Sequence, residues 1–159
     1  MRSLRLVLLA LCCFAANVRP LRAAPAITIA EGARSAFRIV TPRDAPSSVQ
    51  AAARELQKDV ELASGAKLSL VTDDATVSTP FISVGSTTQA KKAGISFWGV
   101  ADEGFRIRTQ DGNIFILGPD TPDGGHTTDG GTSNGTANGV YTFLEDYLGV
   151  RWLFPGELG

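Results

Sequence analysis

Both cysteines of this 159-residue chain, Cys12 and Cys13, lie close to its N-terminus. Residues 27–159 therefore contain no thiol, so neither a disulfide nor a cysteine-based metal site can stabilise them. A stretch of this length can bury a sufficient apolar core without such links. The pattern of apolar residues along the chain must consequently specify the fold.

The N-terminus has the pattern of an exported protein. Arg2 and Arg5 precede an apolar run at 6–16 that is too short to span a bilayer as a helix, and Ala-Pro-Ala at 24–26 supplies small residues for cleavage. We therefore predict a signal peptide at residues 1–26 and a secreted or periplasmic mature chain. Lipidation is disfavoured because a large residue, Leu11, directly precedes Cys12.

The charge of the mature chain argues against two classes of partner. Four of the 15 basic residues and none of the 16 acidic ones lie in the leader, which leaves a net charge of −5. An acidic domain is poorly suited to nucleic acid or to an anionic membrane surface. We therefore predict neither a nucleic-acid nor a membrane partner.

The apolar spacing predicts two main helices and several short strands. Apolar residues recur every three or four positions from Val49 to Ala63, before Gly65. A second apolar stripe, before Gly149, consists of Val140, Phe143, Leu144, Tyr147 and Leu148. Ser47 or Ser48 could cap the first helix. A short surface helix is expected at 87–93, and Asp-Gly at 111–112 is a hairpin signal. Strand-like runs lie at 26–29, 37–40, 67–71, 81–84, 104–109 and 114–117.

A polar, glycine-rich loop at 119–138 separates the last strand from the second helix. It lacks the glycine and lysine spacing of phosphate-binding loops. Its acidic residues and His126 do not follow the spacing of a calcium-binding loop. We expect the loop to be solvated, mobile and dispensable for folding, with no metal and no cofactor.

No catalytic centre is evident in the sequence. His126 is the only histidine, and it falls in the glycine-rich loop. The acidic pairs are adjacent in sequence, so their side chains diverge instead of facing each other across a cleft; they are Asp73-Asp74, Asp102-Glu103 and Glu145-Asp146. We therefore predict no catalytic residue. Trp98 and Trp152 could stack on sugars, but the apolar neighbours of Trp152 favour core or interface.

Three segments together resemble a known family: AAREL at 52–56 followed by ASG at 63–65, FISVG at 81–85, and GVYTFLEDYLGVRWLFPGE at 139–157. They resemble the N-terminal domain of family 67 glycoside hydrolases, the α-glucuronidases, and of related secreted bacterial proteins. They are also similar to the second domain of chitobiases and β-hexosaminidases. The resemblance runs over nearly all of residues 27–159.

The resemblance implies an α+β fold, with a mixed, mainly antiparallel sheet and two helices packed on one face. It also implies a non-catalytic accessory domain that packs against a catalytic (β/α)₈ barrel absent from this chain, with a linker starting at about 155–159. Polysaccharide is then a second candidate partner. Two other classes stay open: a free-standing carbohydrate-binding module, which would need exposed aromatics on one sheet face, and a complete small enzyme.

The end of the sequence is the candidate interface with the barrel. It is too apolar for a free tail, and few residues follow that could cover it. The predicted interdomain residues are Val150, Trp152, Leu153 and Phe154.

Overall fold

A computed structural model describes residues 26–152 of the chain. These residues form a five-stranded sheet with three α-helices, which confirms the α+β class. The strands are β1 (Arg38–Thr41), β2 (Ser69–Thr72), β3 (Phe81–Val84), β4 (Arg106–Gln110) and β5 (Asn113–Leu117). The helices are α1 (Ser47–Ser64), α2 (Thr88–Lys92) and α3 (Gly135–Phe143), and α3 continues into a π-helical turn (Leu144–Leu148). The predicted signal peptide lies almost wholly outside the described residues.

The sheet is mixed, with strand order β2-β1-β3-β5-β4. Three of its pairings are parallel, and only the β4–β5 hairpin is antiparallel. The expectation of a mainly antiparallel sheet is therefore wrong. The physical reason is the connection between β1 and β2, which contains α1 and is long enough to return the chain for a parallel pairing. Every residue of β3 and β5 is buried, as is typical of parallel strands covered on both faces.

Successive side chains along each strand point to opposite faces of the sheet, and each face carries its own apolar cluster. Ile39, Ile82 and Ile116 belong to the larger cluster, which also contains the buried side chains of α1 and α3. Their neighbours Val40 and Phe115 belong to the smaller cluster, together with Ala90 of α2. The two main helices therefore share one face of the sheet, and the short helix covers the other.

The helix predicted from apolar spacing is confirmed as α1. Five of the six predicted apolar residues are buried, Val49, Ala52, Ala53, Leu56 and Val60, whereas the last, Ala63, is exposed. Gly65 ends it with a φ of 75°, and its N–H donates to the carbonyl of Glu61 at 2.7 Å. Glycine adopts this left-handed conformation without the steric penalty that a Cβ would bring.

Helix α3 packs against the sheet with backbone almost in contact. A Cβ added at Gly139 would lie 2.8 Å from Cγ2 of Ile116 and 3.0 Å from Cβ of Phe105. At Gly135 an added Cβ would lie 2.9 Å from the carbonyl oxygen of Pro119. The helix can therefore sit this close only because both positions lack a side chain.

Two local expectations are corrected. Residues 26–29 form no strand, although Ile27 and Ile29 pack partly against the larger cluster. Helix α3 begins at Gly135, inside the region predicted to be loop. None of the described helices is long and apolar enough to cross a membrane.

Candidate functional site

In open sheets of parallel strands, ligands bind at the carboxyl edge, at the point where the strand order reverses. In this sheet that point lies between β1 and β3. Side chains of the protein itself occupy this point. Gly85 follows β3 with a φ of 89°, and a Cβ there would lie 3.1 Å from Val49 and 3.3 Å from Pro42. Pro42 and Val49 therefore leave no crevice for a ligand between the two strand ends.

The three helices begin at or near this edge, and an aspartate from elsewhere in the chain binds the first turn of each one. Asp123 accepts from the Ser47 N–H at the start of α1. Asp73, directly after β2, accepts from Thr88 in α2, and Asp120 accepts from Thr136 in α3. The free N–H groups at a helix N-terminus can bind anions. Here the N–H groups of Ser47, Thr88 and Thr136 are already bound by carboxylates of the chain itself.

The cap of α1 comes from a distant residue and not from a local serine. Pro46 occupies the N-cap position and makes no side-chain cap bond. The backbone N–H and hydroxyl of Ser47 both donate to Asp123, at 3.0 and 2.7 Å from Oδ1. Ser47 is therefore a donor to the loop, which corrects the prediction that Ser47 or Ser48 caps the helix.

Asp120 holds the first turn of α3 from a partly buried position. Its Oδ1 accepts from the Thr136 N–H at 2.9 Å, and its Oδ2 accepts from the Thr136 hydroxyl at 2.5 Å. Burial raises the pKa of Asp120, although the Thr136 donors oppose the rise; the charge of Glu103 adds to it. Glu103 also lies at this helix start, where it accepts from the Asn134 N–H at 3.2 Å.

The other two caps are more exposed and show the opposite pKa shift. Burial pushes the pKa of Asp73 upward, but donors from Thr88 and the Arg43 N–H outweigh it and leave the pKa lowered. The Ser47 hydroxyl and N–H lower the pKa of Asp123. The lowered pKa favours the charged form of both carboxylates, which also interacts favourably with the positive end of a helix dipole.

The glycine-rich loop is tied down along its length. The Thr121 N–H donates to the carbonyl of Ser133 at 2.8 Å, and the Ser133 N–H donates to the Thr121 hydroxyl at 2.7 Å. Together with the bonds of Asp120 and Asp123, they argue against the expectation that the loop is mobile and dispensable for folding. His126 lies exposed at its outer part. Within residues 26–152, no group of three or more His, Cys, Asp or Glu side chains could hold a metal ion.

A second candidate region lies along α3 and the chain that follows it. We define the aromatic ridge as Tyr141, Tyr147 and Trp152, whose side chains are 37%, 70% and 42% exposed. Trp152 packs edge-on against Tyr141, with ring centroids 5.3 Å apart. Tyr147 lies against the buried Phe143 at 4.9 Å.

An apolar groove adjoins this ridge at Tyr147, with a volume of about 540 Å³. It opens between the C-terminal ends of α1 and α3 and the β4–β5 hairpin. Among the residues that the structure describes, no charged side chain lines it. The apolar lining includes Ile29, Val60, Ile107, Ile114, Phe143 and Leu148.

The predicted interface residues fall into three groups. Val150 is partly buried against the larger cluster, and its N–H donates to the carbonyl of Leu144 at 3.2 Å. Trp152 is partly exposed on the ridge. Leu153 and Phe154 lie outside the described residues.

Sequence reasoning placed Tyr147 on the buried stripe of the second helix and did not single out Tyr141. The π-helical turn explains the difference, because its wider turn shifts the register of the side chains that follow. Tyr147 consequently rotates outward, whereas Leu144 is fully buried. The sequence carries no local signal for such a turn.

The other aromatic side chains near the sheet differ in their exposure. Phe115 is buried and Phe105 is half-buried. Trp98, in the connection from α2 to β4, is 88% exposed.

No protein-family model matches the chain, and no curated protein matches it. The role of the chain is therefore inferred from its own residues and from the sequence resemblance described above.

Proposed function

We propose that this chain is a non-catalytic accessory domain of a secreted or periplasmic glycoside hydrolase of α-glucuronidase type, which acts in polysaccharide breakdown. In this proposal the domain packs against a catalytic (β/α)₈ barrel. The observation that carries the proposal is the aromatic ridge, which stands exposed beside an uncharged apolar groove. Exposed aromatic rings and an apolar groove of this kind are typical of interaction sites in soluble proteins.

The composition of the ridge favours a protein partner. Tyr and Trp are the residues that contribute most to binding at the centres of protein interfaces, because they bury large areas with few rotatable bonds. The groove beside Tyr147 offers space for apolar side chains of the partner. Burying apolar surface contributes about 25 cal/mol per Å², so a few hundred Å² would stabilise docking by several kcal/mol.

The three segments that carry the family resemblance lie in different elements of the fold. The 52–56 segment lies in α1 and the 81–84 segment forms β3, so both contribute to the cores. The 139–152 segment supplies the C-terminal part of α3, the π-helical turn and the whole aromatic ridge. The most specific part of the resemblance thus coincides with the surface proposed for docking.

The proposed interface keeps the four residues predicted from sequence and assigns them different tasks. Val150 fixes the chain to the domain's own core, and Trp152 presents the ridge together with Tyr141 and Tyr147. Leu153 and Phe154 continue the same apolar segment in sequence. We propose that they contact the barrel as well.

The acidic residues at the carboxyl edge support a non-catalytic role. Asp73, Asp120 and Asp123 each accept hydrogen bonds from a helix start. A carboxylate held as a cap is not free to exchange protons with a sugar at the same time. The purified chain should accordingly release neither 4-nitrophenol from aryl glycosides nor glucuronic acid from xylo-oligosaccharides, and hydrolysis that co-purifies with the chain would overturn the proposal.

The docking surface is tested with residues 27–159 as a free protein. An uncovered ridge should bind 8-anilinonaphthalene-1-sulfonate and promote weak self-association in sedimentation velocity. Tyr147→Ser should reduce both, because it removes the most exposed ring of the ridge. Leu62→Ser is the matched control, since Leu62 is also highly exposed, at 74%, but lies on α1 and does not line the groove. A dye-silent monomer, or equal losses in both variants, would contradict the proposal.

A further inference from the structure

Five side chains next to the short helix form a second surface that the docking proposal does not use. We define the cationic face as Lys91, Lys92, Trp98, Arg106 and Arg108. The two lysines lie in the last turn of α2, and the two arginines lie on the edge strand β4. Trp98 belongs to the connection between these two elements.

The register of the β4–β5 hairpin places both arginines on the same side of the sheet as α2. Arg106 pairs with Leu117 and Arg108 with Phe115, and both partners belong to the smaller cluster. Ile107, between them, packs against the larger cluster on the opposite face. The two guanidinium groups therefore project from the face that α2 covers.

Two hydrogen bonds hold the connection from α2 against β4. The Arg106 guanidinium donates to the carbonyl of Ser96, and the Gln110 amide donates to the carbonyl of Ala93 at 3.4 Å. Trp98 follows Ser96 by two residues, and its N–H donates to the Ser96 hydroxyl at 3.4 Å. These contacts bring the tryptophan and the arginines onto one surface.

No cation of this surface forms an ion pair within the described part of the chain. The ion pairs there join Arg43 to Asp74, Lys58 to Glu55 and Lys67 to Glu61. None of them involves the four cations of the cationic face. Four positive charges thus gather on one side of a mature chain whose net charge is −5. Such a patch attracts anionic ligands selectively, since the rest of the molecule repels them.

Trp98 is the most exposed large apolar side chain among the described residues, at 88%. It borders a hollow of about 440 Å³ that Lys91 also lines. A flat ring beside a cation can stack on the apolar face of a sugar ring while the cation binds an acidic substituent. The remaining lining, which includes Ser86, Ser96 and Phe97, adds hydroxyls and a second apolar wall.

We infer that the cationic face binds an acidic polysaccharide, one that carries a carboxylate on most of its sugar rings. Trp98 stacks on one ring, and Lys91, Arg106 and Arg108 pair with carboxylates along the chain. Arg106 and Arg108 stand two residues apart on one strand, about 7 Å, so each can pair with a different acidic group of an extended ligand. Arginines suit this task because their guanidinium groups bind carboxylates in a bidentate manner. This site is separate from the aromatic ridge and needs no catalytic partner.

The inference is tested with residues 27–159 and polygalacturonate as the probe, by titration calorimetry at low and at moderate salt. Binding should be measurable at low salt and should weaken as salt rises, because exposed ion pairs are screened. Neutral galactan should not bind. Lys91→Gln combined with Arg108→Gln should weaken binding by about tenfold or more, as should Trp98→Ala. Circular dichroism confirms that each variant is folded.

The matched control removes two other positive charges, by Lys58→Gln combined with Lys67→Gln, and should bind polygalacturonate nearly as well as the parent chain. An equal loss in this control would show a net-charge effect and overturn the site. Equally tight binding of double-stranded DNA or of anionic phospholipid vesicles would overturn the assignment to a polysaccharide. Absence of polygalacturonate binding at low salt, or full binding by Trp98→Ala, would also overturn it. None of these readouts depends on Tyr147, so this inference and the docking proposal can fail separately.

Discussion

The carboxylate of Asp123 accepts hydrogen bonds from both the backbone N–H and the hydroxyl of Ser47, which lies 76 residues earlier in the chain. One residue of the glycine-rich loop thereby fixes the start of α1. A second, Asp120, fixes the start of α3, and Asp73 does the same for α2. The loop is consequently part of what orients the two main helices on their face of the sheet.

We predict that Asp120→Ala lowers the free energy of unfolding by about 1–2 kcal/mol, the usual cost of losing a helix cap. The Thr136 residue is fully buried, so the substitution leaves its N–H without a partner in a place that water does not reach. Urea unfolding followed by circular dichroism measures the change. Asp129→Ala in the same loop is the control, since Asp129 is exposed and should change stability by less than about 0.5 kcal/mol. Equal effects of the two substitutions would contradict the assigned cap.

The lowered pKa of Asp73 predicts a loss of stability in acid. Its folded pKa lies below the unfolded value, so its contribution is fully present above about pH 4 and is lost as the pH falls further. Asp73→Asn keeps an oxygen acceptor but cannot titrate. The variant should therefore lose less stability between pH 7 and pH 3 than the parent chain, as measured by urea unfolding at both values. A steeper loss in the variant would show that the sign is wrong.

Asp120 should behave in the opposite way, because burial raises its pKa. The folded state then binds the proton more tightly than the unfolded state, so protonation of Asp120 favours folding as the pH falls through its folded value. Relative to Asp120→Asn, the parent chain should therefore gain stability between pH 7 and pH 4. The same urea series measures this difference. A constant difference across the range would mean that Asp120 titrates normally.

The sequence correctly predicted the elements that are indicated by residues close together in the chain. Helix α1, strand β3 and the β4–β5 hairpin lie where apolar spacing and the Asp-Gly pair put them. The mainly antiparallel sheet was implied by the family resemblance, and no local signal in the sequence could correct it, because pairing between β1 and β3 depends on how the connections cross the sheet. The cap of α1 by Asp123 was missed for the same reason. An aspartate in a glycine-rich loop has the same sequence signature whether it is solvated or bound to a distant helix.

The close packing of α3 predicts that Gly139→Ala is destabilising by about 1–3 kcal/mol, the usual cost of overpacking a core. The new Cβ would lie 2.8 Å from Cγ2 of Ile116, on the central part of the sheet, and the helix would have to move outward. Gly131→Ala provides the control, because the nearest atom to a Cβ there is the Thr127 hydroxyl oxygen at an ordinary 3.6 Å. Thermal unfolding of both variants compares them. A tolerated Gly139→Ala would mean that α3 sits farther from the sheet.

The last prediction concerns Trp152, for which sequence reasoning left two outcomes, core or interface. The structure places its ring partly exposed and edge-on against Tyr141. Such a pair contributes about 0.5–1.5 kcal/mol beyond its buried area, so Trp152→Ser should destabilise the domain only modestly. A fully buried tryptophan would cost about 3–5 kcal/mol on truncation.

The same substitution should reduce dye binding and self-association, since it removes a ring from the proposed docking surface. Urea unfolding and sedimentation velocity on one preparation separate the two effects. Phe115→Ala is the comparison for a true core aromatic, because Phe115 is buried in the smaller cluster. If Trp152→Ser lowers stability as much as Phe115→Ala and leaves dye binding unchanged, Trp152 is a core residue and the docking surface must be redrawn around Tyr147.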